Sequence, residues 1–148
     1  MAEILFYHLA HKRWGEVLPR LLAAALERGW RAAVQVGPNA GVDTVSEVLW
    51  SSLPEDSFLP HGTEADGRGP SQPIWVTAGS DAPNGARVRF FIEGAASEDV
   101  AGLQRAIILF DGADAAAVER ARTDWRRFQA EGHEISYWQQ DENLRWQN

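Results

Sequence analysis

The stretch Ala117 to Phe128 places four arginines (Arg120, Arg122, Arg126 and Arg127) against two acids (Glu119 and Asp124). Its local charge is +2 in a chain of net charge −7. Wound as a helix at about 100° per residue, the stretch aligns Val118, Ala121, Trp125 and Phe128 in one apolar stripe. Arg122 and Arg126 are i,i+4 neighbours along one flank, and Arg120 and Arg127 are expected to point away. Two guanidinium groups beside a tryptophan-bearing stripe frame a site for a ligand anionic at one end and apolar at the other. A carboxylate takes forked hydrogen bonds, and the apolar part packs on the ring. The same spacing also makes a solvated face with local pairing such as Glu119 with Arg122, and on pattern alone that is the commoner outcome.

A second stretch runs from Leu49 to Gly62. A helix ending at Trp50 leads into a proline-punctuated loop that presents Phe58. These rings either wall a pocket or pack inward.

Conventional catalytic chemistry is not visible. The strand Ile107–Phe110 followed by Asp111 looks like the magnesium-binding strand of a nucleotide hydrolase, but no phosphate loop matches it. Neither His8-Leu9-Ala10-His11-Lys12-Arg13 nor Gly37-Pro38-Asn39-Ala40-Gly41 has the required glycine spacing with Lys-Ser/Thr. Asp111 is therefore expected to end its strand at a turn with Gly112. Of the four histidines, His8 and His11 are three apart, without the carboxylate-rich partners that would complete a metal site. They are expected to be polar residues at loop edges. No Gly-x-Ser-x-Gly elbow occurs and there is no cysteine. No catalytic residue, metal or cofactor is expected.

The apolar run Ile4–Tyr7 reads as a buried strand, and Arg31–Val36, Ile74–Thr77, Arg87–Ile92 and Ala106–Phe110 read as further strands. Helical spacing at Trp14–Arg28 ends at Gly29, with Pro19 expected near the first turn. Asp43–Trp50 reads as a second helix, and Ala113 to Ala130 as the longest, with Gly132 after it. Pro54 to Pro73 reads as a long loop. Glu134–Trp138 alternates and reads as a last strand nearer an edge. Strands alternating with helices predict an α/β layered domain with a mainly parallel sheet.

The 148 residues suggest one domain, residues 1–148, with no repeat or linker. Apolar residues make up 45% and charged residues 24%, which excludes a disordered or collagen-like chain. No stretch is long enough to span a membrane, and the N-terminus lacks a signal pattern, so a cytoplasmic protein without a membrane partner is expected. The acidic balance makes the chain a poor general binder of phosphate backbones. Lys12 is the only lysine among the 14 basic residues, and the seven tryptophans exceed what core filling usually needs. Arginine and exposed aromatic rings together suit a protein-binding surface.

Leu49-Trp50, Ser57-Phe58-Leu59-Pro60-His61, the strand ending at Phe110 and the pattern Arg122-x-x-Trp125-Arg126-x-Phe128 before Gly132 give a resemblance. Over most of its length the sequence resembles the chi subunit family of bacterial DNA polymerase III. The resemblance implies a three-layer Rossmann-like domain, similar to a P-loop fold without its phosphate loop. It implies a non-catalytic, clamp-loader-associated subunit of the replicative polymerase. Such a subunit binds the acidic C-terminal tail of single-stranded-DNA-binding protein, which ends in a phenylalanine with a free carboxylate. It couples that protein to the replisome, with a psi subunit or other clamp-loader component as a further partner and DNA contact mainly indirect. The family position that grips the terminal carboxylate falls on Arg122, a second basic position on Arg126 and the adjacent aromatic on Trp125. Trp50 and Phe58 match the aromatic positions around the tail pocket, and Phe110 is counted with them. Trp50 and Pro54 are spaced one residue wider than the family pattern. Two positions that can be basic fall on Val118 and Gln129, which bears on the strength of tail binding. The competing reading is a small-nucleotide-binding α/β enzyme or sensor, which would need a phosphate loop after the first strand.

Overall fold

A computed structural model describes residues 3–9, 14–37, 41, 44–45, 61–63, 74–78, 85–92, 103–140 and 146–147. The strands are β1 (Glu3–Leu9), β2 (Ala32–Val36), β3 (His61–Thr63), β4 (Ile74–Thr77), β5 (Val88–Ile92), β6 (Arg105–Asp111), β7 (Glu134–Gln140) and β8 (Trp146–Gln147). Among the described residues the two long helices are α1 (Trp14–Glu27) and α2 (Ala115–Ala130). The strands form one sheet in the order β3-β4-β2-β5-β6-β1-β7-β8. All neighbours pair in parallel except β7 and β8, which are antiparallel.

Side chains alternate across each strand, so the sheet has two apolar faces. On one face Leu5, Val34, Phe90 and Leu109 pack with Val17, Leu18 and Leu22 of α1. On the other, Ile4, Phe6, Phe91, Ala106 and Ile108 pack with Ala121 and Phe128 of α2. Helices on opposite faces of a largely parallel sheet make the three-layer, Rossmann-like α/β architecture that the strand–helix alternation predicts. β4 and β5 are buried along their whole length, which accords with their largely apolar sequences. The two polar members, Thr77 and Arg89, are buried too, and the Arg89 Nε donates to the Gln35 Oε1 at 2.8 Å.

Both helices end in the same way. After α1, Gly29 adopts φ +78°, and its N–H and that of Trp30 donate to the carbonyls of Leu26 and Ala25. After α2, Gly132 adopts φ +84°, and its N–H and that of His133 donate to Gln129 and Phe128. These are Schellman endings, in which only glycine meets the left-handed backbone without steric cost.

Several expectations change. Pro19 lies in the second turn of α1, not the first, and removes one helix hydrogen bond there. α2 starts at Ala115, because the Asp114 carboxylate caps it by accepting from the Ala116 and Ala117 amides. The segment read as a continuous loop from Pro54 to Pro73 contains β3, which pairs with β4. Strand β7 is not the last, since β8 takes the edge beside it. Of the helix expected at Asp43–Trp50, Thr44 and Val45 are helical and the others lie outside the described residues. Asp111 ends β6 as expected, with its Oδ1 accepting from the Ala113 amide at 2.9 Å. Among the described residues no helix is long and apolar enough to cross a membrane.

Candidate functional site

Parallel register brings the site together. β1 lies between β6 and β7, with His8 opposite Phe110 and Phe6 opposite Tyr137. Phe6 and His8 are two apart and so share the face that α2 covers. The helix lays Val118, Ala121 and Trp125 over these rings and sets Arg122 and Arg126 at the rim. The result is a cleft of about 480 Å³ between α2 and the sheet, within the roughly 300–1,000 Å³ usual for ligand pockets.

The floor is a connected set of rings. Trp125 stands 5.4 Å from Phe6 and 6.3 Å from Tyr137, centroid to centroid. His8 stacks on Phe110 at 5.2 Å, and Phe110 lies 6.5 Å from Tyr137. The His8 Nδ1 and the Tyr137 hydroxyl are hydrogen-bonded to each other. Burial holds the His8 imidazole below its ordinary value, against the opposing pull of Asp111. Burial likewise raises the Tyr137 phenol, and the Arg122 charge acts against that rise. Both shifts favour the neutral side chains, and no carboxylate is among the described residues that line the cleft. Its charges are the two guanidinium groups.

Arg122 meets Glu119 at 3.9 Å, with both side chains about two-thirds exposed. A long, solvated pair of this kind is worth little, at most about 1 kcal/mol, and yields readily to a better anion. The cleft therefore has an apolar floor with a cationic rim.

Four of the residues singled out from sequence, Arg122, Arg126, Trp125 and Phe110, line this one cleft. Trp50 and Phe58 lie outside the described residues. Phe6, His8 and Tyr137 were not singled out as site residues. The i,i+2 spacing of Phe6 and His8 signals a shared face, but only the register places Tyr137 beside them. His8 is not at a loop edge: it lies within β1 and forms part of the floor. Arg127 also departs from expectation. It is off the cleft but does not project freely, because its guanidinium lies 4.5 Å over the Phe128 ring and pairs with Asp124 at 3.7 Å.

Over residues 1–136 the chain matches the family model of the DNA polymerase III chi subunit, HolC. The chain belongs to the chi subunit family of DNA polymerase III. No curated protein matches it. Within this chi-family chain the matched stretch contains β1, β6 and α2, hence every residue lining the cleft except Tyr137, which follows it by one position.

Proposed function

We propose that this chi-family chain is a non-catalytic accessory subunit of the replicative polymerase, and that its α2 cleft holds the acidic C-terminal tail of single-stranded-DNA-binding protein. The observation that carries the reading is the convergence of Arg122, Arg126, Trp125 and Phe110 on one cleft with no carboxylate among its described lining residues. The terminal phenylalanine of the tail enters among Phe6, Trp125 and Tyr137. Its free carboxylate meets Arg122, with Arg126 supporting and the acidic residues upstream lying along the rim. Trp50 and Phe58 complete the aromatic wall in this reading. A clamp-loader component such as a psi subunit links the chain to the replisome, and DNA is reached through the bound protein. The net charge of −7 accords with indirect contact, since phosphate backbones favour basic surfaces.

The test is a titration of intact single-stranded-DNA-binding protein, and of the same protein lacking its C-terminal tail, against the purified chain. Binding that disappears with the tail supports the proposal. Equal binding of both forms contradicts it.

A further inference from the structure

Gly112 follows β6 at the Asp111 turn, and its backbone stands against the Nε2 edge of His8. A Cβ at Gly112 would fall on the imidazole itself. One Cα hydrogen of the glycine therefore points at Nε2 and fills the space that a proton on that nitrogen would need. An unprotonated Nε2 accepts this contact as a weak hydrogen bond, whereas an N–H there would meet it head-on. The single proton of the neutral ring is thus directed to Nδ1, since the bond made at one ring nitrogen sets the state of the other.

Nδ1 is the atom bonded to the Tyr137 hydroxyl. With the proton on Nδ1, the imidazole donates and the phenol oxygen accepts. The hydroxyl hydrogen of Tyr137 then has no acceptor among the described residues. It is left to donate into the cleft that Tyr137 shares with Arg122.

We propose that Tyr137 is a second donor to the ligand's carboxylate, aimed by His8 as a positioning residue whose tautomer Gly112 fixes. The assignment rests on the tail reading above and adds to it. Arg122 supplies the charge and grips one carboxylate oxygen. Tyr137 supplies a neutral, directional donor to the other. An amide-capped terminus presents one oxygen and no charge, so it cannot use both donors as a carboxylate does.

Two measurements on the full chain test this. Long-range nitrogen–proton NMR of His8 in the free protein should show the proton on Nδ1 and a bare Nε2. Titration of a tail peptide as free acid and as C-terminal amide should separate wild type from Tyr137→Phe, which keeps the ring. The variant should bind the free-acid peptide about tenfold more weakly, as expected for losing a hydrogen bond to a charged group. Its affinity for the amide should match that of wild type. A proton on Nε2 overturns the proposal. So does wild-type affinity of Tyr137→Phe for the free acid while Arg122→Ala is weakened, an outcome that leaves the tail reading standing. Failure of wild type to bind either peptide overturns the tail reading, and this assignment with it.

Discussion

The ring of Trp125 on α2 lies 5.4 Å from that of Phe6 on β1, tilted by 49°. This contact fixes the distance between the helix that carries the two rim arginines and the strand that carries the cleft floor. Phe6 also touches Phe128, at 6.3 Å, so the wall of the cleft continues into the core.

Two truncations on α2 should therefore separate. Phe128 has 0% exposure, and Phe128→Ala should cost about 3–5 kcal/mol of folding stability. Trp125 is only half-buried. Trp125→Ala should cost about 2 kcal/mol of stability, and at least tenfold in tail binding if the ring acts as a hot spot. Denaturant midpoints with peptide titrations of both variants check this. A stability loss for Trp125→Ala as large as that for Phe128→Ala, with unchanged binding, would make Trp125 a core residue.

The start of α2 rests on one side chain. The Asp114 carboxylate accepts from the Ala116 amide at 3.0 Å and the Ala117 amide at 3.4 Å. Asp114→Ala should lower stability by about 1 kcal/mol, and Asp114→Asn by much less, because asparagine also caps. Urea unfolding measures both, and equal losses would show that charge rather than capping matters.

Acid should weaken the fold through His8. Its imidazole is held below the ordinary value of 6.5, mainly by burial. As pH falls through that value the unfolded chain takes up a proton and the folded chain does not. The unfolded state then binds more protons, so stability drops until the folded imidazole also titrates. The groups facing His8 are Asp111 on β6, Tyr137 on β7, and Arg122 and Arg126 at the α2 rim. Asp111 favours the charged ring, so Asp111→Asn should steepen the dependence. Unfolding at about pH 7.5 and about pH 5.5 should show a smaller loss for His8→Gln than for wild type. Equal losses would place the acid sensitivity elsewhere.

The sequence is most informative where the chemistry is local. The i,i+4 placement of Arg122 and Arg126 beside Trp125 follows from helix geometry alone, and glycines 29 and 132 end the helices they were expected to end. The centre of the sheet is equally legible, because Ile74–Thr77 and Val88–Ile92 are rich in the β-branched and aromatic residues of strands buried on both sides, interrupted only by Thr77 and Arg89. Long-range register is not legible. Nothing near Tyr137 indicates that it pairs with Phe6, more than a hundred residues earlier. Nor does the sequence around His8 show that Gly112 closes on its ring. The short strand at His61–Thr63 lacks a period long enough to stand out from its proline- and glycine-rich surroundings. For Arg127, helical spacing gives the angle that keeps it out of the cleft but not the half-buried Asp124 that draws it back against Phe128.

The central claim is that Arg122 anchors a terminal carboxylate. It is tested most directly by titrating a tail peptide, as free acid and as C-terminal amide, against wild type, Arg122→Ala, Arg126→Ala and Arg127→Ala. Losing the anchor should weaken the free acid by about tenfold to a hundredfold. Arg126→Ala should lose less, because in this account it supports the carboxylate from the rim and Arg122 holds it. Arg127→Ala should leave binding almost unchanged, since its guanidinium sits on Phe128 outside the cleft. The amide should bind wild type weakly. Equal losses for Arg122→Ala and Arg127→Ala, or full wild-type affinity for the amide, would contradict the account.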